Sequence, residues 1–280
     1  MKTKTFENLL SYLVLGASSI VAIFPFCWMV VTSFKQPIDV ITQPPKFIFD
    51  PTLMNYIAVV TTGGWSAQGN FMLKVANSIE AGLAAVLVSI ASGTPAAYAI
   101  ARINFPYKDN IYFTYVTFRF LPPFVAIIPL FIMYGYLKLY DSLVGLTLAY
   151  ILISLPLTVW MMVPFFEQIP KDIEEAATID GCSGISLFYR ILLPLIKPGI
   201  AATMALNFIF CWNDFIFGLI LTFQQAQPVQ YAMSLFVSYA VVHWGQMAAA
   251  GVICAIPILV FFVFVQKYII RGLTFGAVKG

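Results

Sequence analysis

The sequence predicts an all-α membrane protein with six transmembrane helices. Of its 280 residues, 61% are hydrophobic and only 10% are charged, whereas an average soluble domain carries about 25% charged residues. The apolar residues form runs of about 20 residues or more, the length at which a helix crosses a hydrocarbon core of about 30 Å. Runs such as AGVICAIPILVFFVFV (residues 250–265) are apolar on every face, which excludes the alternating strands of a membrane barrel.

The spans follow one another with short or polar connections. The first is followed by a Pro-, Gly- and Asn-rich segment, the second by RINFPYKDN, and the third by a short turn near Leu139. A polar segment of residues 167–198 follows the fourth span, and a polar and aromatic segment of residues 223–246 follows the fifth. We place the spans, within a single domain of residues 1–280, at about residues 12–34, 75–101, 111–136, 143–166, 199–222 and 247–269.

The basic residues orient these spans. An even number of spans puts both termini on one side, and cytoplasmic segments carry the excess of Lys and Arg. With both termini in the cytoplasm, the cytoplasmic side has ten basic residues and the outer side four, and Arg119 lies within a span. The cytoplasmic ten are Lys2, Lys4, Arg102, Lys108, Lys171, Arg190, Lys197, Lys267, Arg271 and Lys279, and the outer four are Lys35, Lys46, Lys74 and Lys138.

Residues 167–198 interrupt the apolar chain on the cytoplasmic side. Pro170 suits the first turn of a helix, and the acidic residues after it favour the positive end of the helix dipole. Gly181 can supply the left-handed conformation that ends the helix, and Ser183 or Ser186 can cap a second one that Pro194 terminates. The segment is therefore predicted to form a helix–turn–helix.

The first of these two helices has two possible partners. Amphipathic helices often lie in the membrane interface, but there they usually carry Lys and Arg on the polar face. This one is acidic, and the inner leaflet, which is anionic, would repel it. A protein partner is therefore favoured over lipid.

The spacing within the segment resembles that of a known family. Glu175-Ala176-Ala177, Gly181 and Ile191-x-Leu193-Pro194 fit the pattern E-A-A-x3-G-x9-I-x-L-P of bacterial ABC importer permeases. The resemblance extends over nearly the whole chain to the smaller, six-span permease subunit of carbohydrate importers of the maltose-transporter type. It includes RFLPPFVAIIPLF, WNDFIFGLILT and RGLTFGAVKG. Position 182, usually Ala in the family, is Cys182 here.

The resemblance implies that the first helix is a coupling helix, which docks into a cytoplasmic ATPase. Glu175 would pair with a basic residue of the ATPase, Ala176 and Ala177 would pack in its cleft, and Gly181 would make the turn. Ile191, Leu193 and Pro194 complete the ATPase-coupling motif. Residues 274–280 would give the ATPase a second contact.

The resemblance also implies partners and a location. The chain would lie in the bacterial inner membrane, surrounded by lipid, and form the translocation path with a homologous second permease. An ATPase dimer would hold ATP and Mg²⁺, and an extracytoplasmic sugar-binding protein would deliver the solute. In maltose-type importers, the loop that corresponds to residues 223–246 contacts that binding protein.

No residue pattern indicates catalysis, a metal site or nucleic-acid binding on this chain. The sequence has no G-x-x-x-x-G-K-[ST] loop, no H-E-x-x-H and no G-x-S-x-G, so we expect no enzyme activity and expect ATP to bind to another subunit. Two alternatives remain: an ion-driven secondary transporter, which would carry its own coupling groups, and an ABC permease for a non-sugar solute such as glycerol phosphate or a polyamine.

Arg119 in the third predicted span and Asn213 and Asp214 in the fifth are the clear cases of polar residues at membrane depth. Ionisable groups in hydrocarbon are costly and mark a pathway, an interface or an internal pair. Asn213, Asp214 and Arg119 are therefore candidates for the substrate path, and Arg119 and Asp214 could form an ion pair. A structural role, in which Asn213 and Asp214 hold the fifth span to its neighbours or to the partner permease, is the favoured interpretation of these two residues.

Overall fold

A computed structural model describes residues 2–64, 69–237 and 242–275 of the chain. Within these ranges the regular secondary structure is helical, apart from an isolated bridge between Val237 and Val242, and turns and irregular segments connect the helices. The helices are α1 (Lys2–Ser33), α2 (Pro37–Ile41), α3 (Met54–Thr62), α4 (Phe71–Arg102), α5 (Lys108–Phe120), α6 (Pro123–Leu137), α7 (Leu143–Glu167), α8 (Lys171–Ile179), α9 (Gly184–Leu187), a π-helical turn (Phe188–Leu192), α10 (Leu193–Leu195), α11 (Lys197–Trp212), α12 (Ile216–Leu221), α13 (Val229–Ser234) and α14 (Trp244–Phe275).

The all-helical membrane architecture is confirmed. In the described residues, four helices are long and apolar enough to cross a membrane. The number rises to six if each of two bent pairs is one span, α5 with α6 and residues 184–195 with α11. The number six and the cytoplasmic placement of both termini stay predictions.

The chain divides into two compact units. One comprises residues 1–72 and 233–256, and the other residues 73–232 and 257–280. In the first unit, the buried Asn55 amide donates to the carbonyl oxygens of Ser33 and Lys35, at 2.9 and 2.8 Å, and so holds the end of α1 to α3. The prediction that residues 1–280 form a single permease domain stays a prediction.

The third predicted span, residues 111–136, is not one straight helix. It consists of α5 and α6, which meet at an angle of 94°. Pro122 and Pro123 cause the break, because a proline pushes the residue before it out of the helical region and itself has no N–H to donate. Leu121 and Pro122 are accordingly extended, with ψ angles of 125° and 133°.

The fifth predicted span, residues 199–222, is also discontinuous. Helix α11 ends at Trp212 and α12 begins at Ile216. Asn and Asp side chains compete for backbone hydrogen bonds and disfavour helix interiors. Here the Asn213 amide donates to the Ile209 carbonyl at 2.8 Å, and the Asp214 carboxylate accepts from the Gly218 N–H at 3.4 Å.

Asp141, in the turn between α6 and α7, holds the segment after α12. Its carboxylate accepts hydrogen bonds from the backbone N–H groups of residues 223–226, at 2.9 to 3.1 Å. Partial burial alone would raise the pKa of Asp141, but these four donors outweigh it and hold the pKa below its usual value. The stabilisation is therefore complete at neutral pH, and it is lost only as the pH falls through this lowered pKa.

Candidate functional site

Helix α8 is a short helix whose ends are set by local sequence. Pro170 lies at the position before its first residue, and Asp172 and Glu174 lie in its first turn. At the other end, the Gly181 N–H donates to Thr178 and the Cys182 N–H donates to Ala177, at 3.0 and 2.9 Å. These two bonds form a Schellman motif, which requires a left-handed residue just after the helix. Gly181 supplies it with φ +87°, as the sequence predicts.

The two sides of α8 have different environments. Glu174 is half-buried and Ala177 is buried, and both face the rest of the second unit. Glu175 and Ala176 are exposed, and Ile179 is 86% exposed. One face of the helix is thus packed on the chain itself, while the opposite face carries an acid, a small residue and a large apolar side chain without cover from this chain.

The inner face of α8 rests on a hydrophobic cluster. Phe166 of α7 and Leu192 of the π-helical turn are completely buried at its centre, and Ala177 packs among them. The cluster also contains the buried side chains Ala97, Ile100, Val159, Met162, Val163, Ile169, Leu187, Phe188 and Ile196. It therefore joins α8 to α4, α7 and the helical segment that leads to α11.

The second half of the predicted helix–turn–helix begins just after Ser183 and runs further than predicted, and the Ser183 side chain makes no capping hydrogen bond. Ser183 precedes α9, and the partly buried Ile191 and Leu193 pack against the hydrophobic cluster. Pro194 is exposed and does not end the helical path, which continues to Leu195. Its missing N–H is tolerated because it lies in the first turn of α10, just after the wider π-helical turn.

We expect Gly181→Val to disrupt the end of α8 through its backbone alone. A Cβ atom at Gly181 would meet no atom within 4 Å, but a β-branched residue in the left-handed region costs about 1–2 kcal/mol. Gly184→Val is the matched control, because Gly184 has equally open space and no positive φ. If α8 docks into an ATPase as the resemblance implies, the coupled ATPase activity should fall in Gly181→Val and persist in Gly184→Val. Equal activities in the two variants would contradict a role for the left-handed turn.

An ion pair and two further hydrogen bonds join α8 to α4. The Arg102 Nε donates to Glu174 Oε1 at 2.5 Å, another Arg102 N–H donates to the Ile169 carbonyl, and the Tyr98 hydroxyl donates to Glu174 Oε2 at 3.4 Å. From the sequence, Arg102 was interpreted only as a charge that orients the spans, and Glu175 was the glutamate assigned to the site. Helical periodicity places Tyr98 and Arg102, four residues apart, on one face of α4, and Glu174, three residues before Ala177, on the inner face of α8. It does not show that these two faces meet.

The transmembrane candidates meet only in part. Arg119 and Asp214 line one cavity of about 620 Å³ in the second unit, but Asn213 is not among its lining residues. Arg119 and Asp214 do not form an ion pair: the guanidinium carbon lies 4.1 Å from the centre of the Phe210 ring. The cavity lining is otherwise mostly apolar, with Tyr115, Phe118, Phe120, Leu121, Pro122, Pro123, Ala126, Ile151, Leu152, Ile153, Leu155, Pro156 and Phe217.

The C-terminal contact predicted from the resemblance falls largely outside the described residues. Helix α14 runs to Phe275, and residues 276–280 lie beyond the last described residue.

Comparison with known proteins gives the family. Residues 93–275 match the model of the binding-protein-dependent transport system inner membrane component. The chain is 34% identical to the trehalose/maltose transport system permease protein MalG of Thermococcus litoralis, over 96% of each chain. It is 33% identical to the trehalose transport system permease protein SugB of Mycobacterium tuberculosis, over 99% of this chain and 98% of that one.

The fold is also that of a solved transporter. A chain of a bacterial ABC transporter involved in import of the acidic polysaccharide alginate superimposes with a TM-score of 0.76, at 20% identity, over 96% of this chain and 98% of that chain. Sequence, helices and fold agree, and this chain belongs to the family of inner membrane components of binding-protein-dependent transport systems, as a multi-pass permease.

Proposed function

We propose that this chain is a transmembrane subunit of an ATP-driven ABC importer for a carbohydrate of oligosaccharide size. The observation that carries the proposal is the division of α8 into an anchored face and a free face. Glu175 and Ala176 are exposed on the free face, and the helix is fixed to the chain's own core through Ala177. Such a helix can be pushed by a partner without separating from the spans.

The partner of the free face is a cytoplasmic ATPase subunit. An acidic helix that presents a small residue fits a basic cleft into which its backbone can approach closely. Glu175 makes the charged contact and Ala176 the close contact, while Ala177, Gly181, Ile191, Leu193 and Pro194 shape and support the loop. ATP and Mg²⁺ are bound on the ATPase dimer, so this chain hydrolyses nothing itself.

The membrane arrangement follows from the charges. Six spans at the positions predicted from the sequence put both termini and α8 in the cytoplasm. A homologous second permease completes the translocation path, and an extracytoplasmic binding protein delivers the solute at the opposite side. The match to a family described as binding-protein-dependent supports this partner.

The solute is inferred from relatives and from the cavity. The two relatives compared above are named for trehalose and maltose, both disaccharides. Aromatic side chains in the cavity can stack on sugar rings, and Arg119 and Asp214 can hydrogen-bond hydroxyl groups. Asn213 precedes the cavity-lining Asp214 in the chain and belongs to the break between α11 and α12.

Reconstitution tests the proposal. The chain, its second permease and its ATPase, placed in proteoliposomes with the binding protein, should take up labelled disaccharide only when ATP is present inside. Uptake by the permeases alone from a proton or sodium gradient would overturn the proposal in favour of a secondary transporter. ATP-driven uptake of glycerol phosphate or a polyamine, with no uptake of sugars, would keep the ABC mechanism and reject the carbohydrate.

A further inference from the structure

Helix α4 makes specific polar contacts at both of its ends. At its C-terminal end, Arg102 and Tyr98 hold Glu174 of α8. Near its N-terminal end, the Asn77 amide donates to the carbonyl oxygens of Gln225 and Gln227, at 2.7 and 3.1 Å. The neighbouring Ser78 hydroxyl accepts from the Val229 N–H at 2.8 Å.

The contact at the cytoplasmic end is well protected. The Arg102 and Glu174 side chains are only 9% and 15% exposed. A second ion pair joins Lys46 to Asp39, and its lysine is 48% exposed. Exposed pairs contribute little, whereas a shielded pair with further hydrogen bonds holds its geometry.

Arg102 grips α8 at two places. Besides Glu174, it donates to the carbonyl of Ile169, which precedes the helix. The Tyr98 ring adds packing, with its centre 5.4 Å from that of Phe166 and 5.5 Å from that of Phe188. A displacement of α8 therefore acts on the end of α4 at several contacts. Arg102 binds both Ile169 and Glu174, and the Tyr98 ring packs beside them.

The contact at the other end holds the segment of residues 223–229. Asn77 and Ser78 are buried, at 3% and 2% exposure, and they bind backbone groups of that segment. Asp141 binds four further backbone groups of the same segment. From Ser78 to Arg102, α4 extends about 36 Å as one helix, which is long enough to join the two sides of a membrane.

We propose that α4 is a strut that transmits movement between α8 and the segment of residues 223–229, with Arg102, Tyr98 and Glu174 as its cytoplasmic joint and Asn77 and Ser78 as its outer joint. The proposal rests on the proposed function, in which α8 meets the ATPase and the outer segment lies on the side of the binding protein. The two adjacent glutamates then have separate tasks. Glu175 binds the ATPase, and Glu174 is a positioning residue that passes the movement on.

The test compares the two glutamates in the complete reconstituted complex. Glu174→Gln should leave ATPase assembly and basal ATP hydrolysis unchanged, but should reduce the stimulation by liganded binding protein at least fivefold, the lower range of typical allosteric coupling. Glu175→Gln should instead weaken assembly with the ATPase, measured by co-purification. Normal stimulation in Glu174→Gln, or a loss of assembly equal to that in Glu175→Gln, would overturn the strut.

The outer joint provides an independent test. Asn77→Ala and Ser78→Ala, made separately, should also lower stimulation while assembly and basal hydrolysis persist. Ser92→Ala is the control on the same helix, because the exposed Ser92 hydroxyl only donates to Val88 within α4. Normal stimulation in both Asn77→Ala and Ser78→Ala would overturn the proposal. This holds even if Glu174→Gln proves unstable, because the outer variants do not depend on it. Normal assembly in Glu175→Gln would count against the docking role of Glu175 and leave the strut standing.

Discussion

Glu175→Lys is expected to reduce stimulated ATP hydrolysis tenfold or more, while the permease still inserts and folds. Glu175 is exposed and has no hydrogen bond or ion pair within the described chain, so its reversal removes no internal contact. It places a positive charge against a cleft that the docking model requires to be basic, and like charges at an interface cost several kcal/mol.

The measurement is the ATPase activity of the reconstituted complex, with and without liganded binding protein. Asp109→Lys is the matched control, because Asp109 is another exposed acid on the same predicted side of the membrane, in the first turn of α5. This substitution makes the same change of charge at a position outside α8. Undiminished stimulation in Glu175→Lys, or an equal loss in Asp109→Lys, would contradict the docking of α8.

Phe166→Ala is expected to cause the largest loss of stability, about 3–5 kcal/mol in the free energy of unfolding. Phe166 has no exposed surface, and its ring centre lies 5.4 Å from that of Tyr98 and 6.2 Å from that of Phe188. Its removal leaves a cavity beneath α8, between α4, α7 and the π-helical turn. Because α8 rests on this cluster, coupling should be lost together with stability.

Thermal unfolding of the purified permease in detergent measures the effect. Phe124→Ala is the control, since Phe124 on α6 is 63% exposed and its removal leaves no internal cavity. The unfolding temperature should fall by several degrees in Phe166→Ala and by much less in Phe124→Ala. Similar shifts in the two variants would mean that the cluster does not support α8.

The features of α8 that were predicted correctly are local ones. Pro170, the acidic first turn and Gly181 act on backbone groups within a few residues, so the sequence around them contains the whole cause. The partner of Glu174 could not be found this way, because Arg102 is 72 residues away along the chain. Nothing in a single sequence distinguishes a charge at the end of a span that orients the chain from one that also binds a distant helix.

The spans show the same limit. Hydropathy identifies the apolar stretches of α5 with α6 and of α11 with α12, but it averages over the breaks at residues 121–122 and 213–215. In the structure both Arg119 and Asp214 line one cavity. The Arg119 guanidinium lies against the Phe210 ring and does not make the ion pair that was one possibility from the sequence.

The attachment of residues 223–226 to Asp141 has a consequence for how this protein can diverge. All four donors are main-chain N–H groups, and every amino acid except proline has such a group. The side chains of Phe223, Gln224 and Gln225 can therefore be exchanged without loosening the attachment. In the arrangement proposed above, a permease built in this way can acquire a new outer surface, suited to a different binding protein, while the path of its backbone stays the same.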